Sequence, residues 1–213
     1  MINKPSGLAV HGGSGLSLGL IEALRKIRKD LAYIELIHRL DKETSGCILI
    51  AKKRASLRAI QALLASRQII KTYWALLWHP WKARSSQWVR LSLEKNSLSS
   101  GERIVIAKEG GKPSETQFTL LENFNQACLM EIFPKTGRTH QIRVHSACLG
   151  QAIIGDAKYG LAELDKVLNR KTSRLYLHAH SIQFTLNGHK HYYEAKLDKQ
   201  FSETLQQLRA GGF

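Results

Sequence analysis

Two short segments hold most of the residues that could do chemistry. The first, His38-Arg39-Leu40-Asp41-Lys42-Glu43-Thr44-Ser45-Gly46, is dense in polar groups and runs directly into the apolar stretch from Cys47 to Ala51. Reactive groups often sit on loops placed by rigid elements, and this loop fits that description. An aspartate there can be a nucleophile, a general base or a metal ligand. It can equally pair with Arg39 or bond nearby amides, while Thr44-Ser45-Gly46 forms an ordinary turn. The second segment, Thr136-Gly137-Arg138-Thr139-His140-Gln141-Ile142-Arg143-Val144-His145, places two arginines, two histidines and a glutamine within ten residues. Such a group is costly to desolvate without anionic partners. If it faces Asp41, Arg138 or Arg143 can hold that carboxylate as an ion pair. Gly137 suits a helix entrance, where free amides also favour anions. A solvated basic helix is the alternative.

The elements that would position these segments can be read from periodicity. Leu20, Leu24, Ile27 and Leu31 predict a helix over 17–32 with Ser17 as N-cap, and Leu57, Ile60 and Leu64 predict another over 55–66. Residues 47–51 read as a buried strand. From 69 to 78 the period falls to two, with Ile70, Thr72, Trp74, Leu76 and Trp78 on one face and Lys71, Tyr73, Ala75 and Leu77 on the other. Further strands are expected over 87–93, 103–107, 115–122, 127–133, 174–186 and 191–197. A helix should follow Gly137, and another should close the chain through Phe201, Leu205 and Leu208. Strands often follow one another directly, which predicts an α+β fold with a largely antiparallel mixed sheet flanked by helices and loops. No repeat or long linker interrupts the chain, so residues 1–213 read as a single domain. Turns are expected at Ser85-Ser86, from Ser97 to Gly101, and from Glu109 to Pro113. The stretch 79–115 is either a set of surface hairpins or an RNA-contacting insertion.

Composition narrows the partner. Thirty-two Lys and Arg against 17 Asp and Glu give a formal net charge of +15 over 213 residues. Such an excess attracts polyanions, and each phosphate contact releases a condensed counterion. The basic residues are spread along the whole chain, which favours nucleic acid over a charged tail. No run approaches the roughly 20 apolar residues that cross a bilayer, and the N-terminus has no secretory pattern. Cys47, Cys128 and Cys148 are odd in number and far apart, which points to a reducing cytoplasm rather than a disulfide framework. His178 with His180, or His189 with His191, would share a strand face, but neither pair has an evident third metal ligand.

The two polar segments, taken with three others, resemble the RluA-type pseudouridine synthases. The likeness begins at Lys4-Pro5-Ser6-Gly7-Leu8 with Val10-His11 and continues through His38 to Gly46. Lys71-Thr72-Tyr73 and Thr136 to His145 follow, and Gly155-Asp156 with Tyr159-Gly160 closes the set. Each motif alone is weak; all five in order and spacing are specific. Val10 to Gly15, Ser100 to Val105 and Gly111 to Thr116 look most like the RluC branch. Ala152 departs from the family's usual proline in a turn. The chain starts at Met1-Ile2-Asn3-Lys4, so the strand that usually precedes the first motif is expected to be absent, as is the S4-type RNA-binding domain of that branch.

The resemblance implies isomerisation of specific uridines to pseudouridine in bacterial large-subunit ribosomal RNA. That reaction breaks the N1–C1′ bond, turns the uracil and joins C5 to C1′. It needs a carboxylate near the sugar, a base for a carbon-bound proton and a pocket for the freed uracil, with no cofactor or metal. Asp41 would be the carboxylate, either adding to C1′ or promoting elimination to a glycal. Arg143 would be its partner through two parallel bonds. Tyr73 would stack on the uracil and offer its oxygen to the proton, or would be an ordinary sheet tyrosine. Ile142 would pack against the uracil or simply in the core. The target must leave its stack, and Arg39 would enter the vacated space or form a structural ion pair. Arg138 and Lys71 would hold phosphates, and Asp156 and Tyr159 read as structural turn residues. A monomeric cytoplasmic enzyme with no obligatory protein partner is expected. A module that only grips RNA, and a Mg²⁺-dependent nuclease with clustered carboxylates, are the rival readings.

Overall fold

The computed structural model describes residues 1–13, 18–83, 85–97, 103–167 and 174–211. The proposed cap Ser17, residues 98–101 of the expected turn and the motif residues Ser100 to Glu102 lie outside the described residues. In chain order the elements are β1 (Ile2–Lys4), α1 (Leu20–Ile27), β2 (Glu35–Leu36), β3 (Ser45–Ile48), β4 (Ile50–Ala51), α2 (Arg54–Ala65), β5 (Ile70–Trp78), β6 (Ser86–Ser97), β7 (Arg103–Ala107), β8 (Lys112–Asn123), β9 (Ala127–Pro134), α3 (Gln141–Cys148), α4 (Ala162–Val167), β10 (Leu177–Leu186), β11 (His189–Glu194) and α5 (Lys199–Arg209). The α+β class with mostly antiparallel pairing is as the sequence predicts. The residues fall into two compact units, 1–71 with 178–197, and 72–177 with 198–213.

In the first unit, β1 runs antiparallel to β3, with Ile2 opposite Ile48 and Lys4 opposite Gly46. β1 thus ends on Lys4, the first residue of the Lys4-Pro5-Ser6-Gly7 motif. Three residues are too few for alternation to reveal. β3 is parallel to β10 through His178–Ser45 and Ala179–Gly46, and β10 turns back into antiparallel β11. The turn is Asn187-Gly188, both at positive φ (50° and 77°), the geometry a two-residue hairpin requires. The apolar run 47–51 is split: β4 leaves the sheet to pair with β2, after Leu49 has met Ile37 through its carbonyl. Helix α1 is shorter than its apolar spacing suggests. It starts beyond Gly19, whose amide donates to the Glu22 carboxylate at 2.9 Å, and ends at Arg28, which folds onto Asp30.

In the second unit the strands run in the antiparallel order β5-β9-β8-β6-β7. Stretch 79–115 thus contains long paired strands, with β6 between β8 and β7. Helix α3 packs on one face of this sheet. Beneath it Ala75, Leu77, Val89, Phe118, Met130, Ile132, Ile142, Ile153 and Leu177 form a continuous apolar cluster. β5 alternates as predicted, yet Leu76 and Trp78 on its other face are also buried. Trp78 donates through Nε1 to Asp165 of α4 at 2.8 Å. Helix α5 is capped by Asp198, which accepts from the Phe201 amide, and it buries Phe201, Leu205 and Leu208. Among the described residues no helix is long and apolar enough to cross a membrane.

Candidate functional site

The Asp41 loop is fixed from several sides within the first unit. Leu40 is buried, Arg39 is exposed and Asp41 lies between, half-buried. The Thr44 amide closes a turn onto the Asp41 carbonyl at 3.2 Å. Lys4 is wholly buried, and its ammonium donates to the carbonyls of Pro5, Leu8 and Lys42 at 2.8–2.9 Å. A buried ammonium is tolerable only when its donors are met. Here the need for acceptors ties the first motif to the residue after Asp41. Ser6 repeats the link, its hydroxyl donating to the Glu43 carbonyl at 2.7 Å.

Two histidines brace the same loop. The Nε2 atom of His38 accepts the Leu49 amide at 3.1 Å. Desolvation, then the nearby charge of Lys71, pushes the His38 pKa down to about 4 against an opposing backbone bond at Arg39. Neutral His38 is what that bond needs, since an imidazolium has no acceptor. His178 is fully buried, with Nε2 2.9 Å from the Ala195 carbonyl and Nδ1 2.9 Å from the Ser45 hydroxyl. A carbonyl only accepts, so Nε2 carries the proton and Ser45 donates to Nδ1. Both ring nitrogens are thereby engaged, which removes His178 from any metal site. Gly46 has φ +107° and lies so close to Ala179 that a Cβ would strike its carbonyl.

The second polar segment is equally ordered, but by side chains. Gln141 is buried and satisfied at both ends. Its carbonyl oxygen accepts from the Thr136 hydroxyl at 2.7 Å and the Arg138 amide at 3.0 Å. Its nitrogen donates to the Glu115 carbonyl at 3.0 Å and the Thr116 hydroxyl at 2.9 Å. Next to it, Arg143 is only 6% exposed and forks onto Asp156, with Nε to Oδ2 at 2.8 Å and Nη2 to Oδ1 at 2.6 Å. Arg143 thus makes a parallel-bond fork with Asp156. Asp156 also accepts the amides of Lys158 and Tyr159, at 3.0 and 3.1 Å. The Tyr159 ring lies under the guanidinium, 5.0 Å from its centre, and its hydroxyl accepts the Val105 amide and meets His140 Nδ1, both at 2.8 Å. His140 itself sits at the helix entrance with φ 53°. His145 is sealed beneath, Nε2 2.8 Å from the Ser114 hydroxyl, and burial lowers its pKa to about 4.

The remaining sequence candidates divide by environment. Tyr73 is half-buried and packs against the cluster that contains Ile142, so these two belong to one apolar body. Ile142 is 7% exposed, which gives it a core role. Arg39 and Arg138 are exposed, and Arg138 Nε donates to the Pro113 carbonyl at 3.2 Å. Lys71 is half-buried, and desolvation lowers its pKa. It is not the freely solvated lysine that a surface phosphate contact suggests. Sequence reasoning read Asp156 and Tyr159 as structural turn residues without their hold on Arg143, and missed the structural weight of Lys4 and His178. Asp156, Tyr159 and Lys4 stood inside quoted motifs, but no periodicity signals that a turn aspartate or a lysine will be buried.

Known proteins supply the context for this geometry. The sequence profile described as RNA pseudouridylate synthase matches residues 1–148. Ribosomal large subunit pseudouridine synthase C of Haemophilus influenzae is 49% identical over 212 residues, 98% of this chain and 66% of that protein. The protein of the same name from Escherichia coli K12 is 45% identical over 214 residues, covering 98% and 67%. The chain thus spans about two thirds of the length of these curated relatives. The solved structure of human RNA Pseudouridylate Synthase Domain Containing 4 superposes with a TM-score of 0.76 at 27% identity, covering 97% of this chain and 88% of that one. The profile reaches across both polar segments, and the relatives extend the match to nearly every residue. The chain belongs to the RluA-type RNA pseudouridylate synthase family.

Proposed function

We propose that these 213 residues form the catalytic part of an enzyme that isomerises uridines of bacterial large-subunit ribosomal RNA to pseudouridine. The observation that carries this reading is the near-complete match, at 45–49% identity, to relatives named for that reaction on that RNA. Asp41 is the nucleophile, on a loop whose main chain is held from several directions while its carboxylate is half-buried. Tyr73 and Arg143 accompany it, the first as stacking surface and proton acceptor, the second as its cationic partner. The Nε–Nη2 edge of Arg143 is fixed on Asp156. Exposed Arg39 and Arg138 suit contact with a distorted RNA. Lys71 contributes as a desolvated cation beside the loop, and Ile142 as the floor on which Tyr73 packs. The chemistry calls for no cofactor, and we read the protein as a cytoplasmic monomer that needs no protein partner.

The test is direct. Large-subunit ribosomal RNA from cells lacking the gene should lose discrete pseudouridines, and wild type should restore them where Asp41→Asn does not. The purified chain should form them on an unmodified transcript with EDTA present. Unchanged pseudouridine in every RNA pool would defeat the assignment, and loss of activity in EDTA would favour the metal-dependent rival.

A further inference from the structure

We propose that Asp156 is a positioning residue of the reaction, locking Arg143 into one orientation with the Tyr159 ring as its backing. This deepens the reading above, because it rests on Arg143 taking part in the chemistry.

The pair is poorly explained as a device for stability. A buried guanidinium and carboxylate lose most of their attraction to desolvation, and apolar replacements of similar volume often fold as well or better. Arg143 is itself only 6% exposed, so an apolar residue of similar volume would be buried there too. What the pair supplies is direction. Two parallel bonds to Nε and Nη2 fix both the plane and the rotation of the guanidinium, which a single bond would leave free. The Tyr159 ring closes one face of that plane.

The aspartate is itself immobilised. Its Oδ1 accepts two amides of its own turn, and the turn cannot relax at either end. Gly155 has φ +73° and a Cβ there would collide with the Arg174 carbonyl; a Cβ on Gly160 would collide with the Asp156 carbonyl. Asp165 holds the Gly155 amide at 3.0 Å, and Val105 holds the Tyr159 hydroxyl. The chain of restraint runs from backbone to Asp156, to Arg143, and to whatever acceptor the far side of the guanidinium meets. A catalytic group must stay within a fraction of an ångström and some tens of degrees of its working geometry, and such a supporting shell provides this.

The experiment is a double-mutant cycle read by single-turnover pseudouridine formation on an unmodified large-subunit ribosomal RNA transcript, with RNA affinity measured alongside. Asp156→Asn should slow the step by about 100-fold, the scale of a small misplacement, while RNA affinity stays within about threefold. Asp156→Asn combined with Arg143→Ala should be no slower than Arg143→Ala alone, because the aspartate acts only through the arginine. Folded Asp156→Asn at the wild-type rate, or losses that multiply in the double variant, would overturn the proposal. If Asp156→Asn does not fold, Tyr159→Leu is compared with Tyr159→Phe. The leucine variant should be about fivefold slower, since it alone removes the ring from Arg143, and equal rates would overturn the proposal. A wild-type chain that makes no pseudouridine defeats the functional reading itself. An active wild type with an impaired Arg143→Ala and an unimpaired Asp156→Asn defeats the positioning role alone.

Discussion

Around Asp41 the bonds from Lys4, Ser6 and His38 end on main-chain atoms; around Arg143 the fork ends on a carboxylate. Lys4, Ser6 and His38 all grip backbone carbonyls or amides, and none of those bonds depends on which side chain occupies position 41. Asp156 and Tyr159 grip the functional group of Arg143 directly. The proposed nucleophile thus sits on a loop whose main chain is shaped from behind. A guanidinium that must only point can be held by its own nitrogens.

The largest expected effect tests the first half of that contrast. Asp41→Asn should reduce turnover by at least about 10³-fold, the scale seen when one member of a catalytic unit is removed. Thermal stability and RNA affinity should stay near wild type, because the loop's anchors are untouched. An Asp41→Asn protein that unfolds early would show that the side chain is part of the scaffold. Next, Lys4→Met should cost about 3 kcal/mol of stability in denaturant titration, since three main-chain carbonyls lose a fully buried donor. In contrast, replacing Arg143 by Met and Asp156 by Leu together should change stability by less than about 1.5 kcal/mol. A loss as large as that of Lys4→Met would erase the distinction between a pair kept for direction and an ammonium kept for structure.

The smallest effect is on pH. In the unfolded chain His38 and His145 titrate near 6.5, and in the folded chain near 4. Between those values the unfolded state binds more protons. Stability is therefore fully present above about pH 6.5 and is lost as pH falls toward about 4. His145 alone should account for about 1–2 kcal/mol by pH 5. His145→Gln should flatten that slope in denaturant titrations across pH 5–7, and an unchanged slope would show that the imidazole is not sealed.

The sequence disclosed the elements whose periodicity runs long enough to register. α2, β5, β7 and β9 lie within a residue or two of their expected ranges, and α5 contains the expected Phe201, Leu205 and Leu208. β1, β2 and β4 have two or three residues and carry no period. α1 was overestimated because Leu31 continues the spacing after the Arg28–Asp30 contact has already turned the chain. In the site, the identities of Asp41 and Arg143 stood out through their neighbours. The fork of Arg143 onto Asp156 did not. The turn that presents Asp156 depends on the close backbone approach at Gly155. Such approaches are fixed by tertiary structure and leave only a glycine as their trace.

The order in which a ribosome delivers this chain adds a consequence. Ser45 is braced by His178, His178 by Ala195, and β3 has β10 alongside it. The unit holding Asp41 is assembled from residues 1–71 and 178–197, with the whole intervening segment made first. Contacts across so long a loop form late, after its closure entropy has been met. During synthesis the Asp41 loop is therefore made, and waits without its last braces, until residues 178–197 have followed. The nascent chain would carry Asp41 long before its loop has a fixed place.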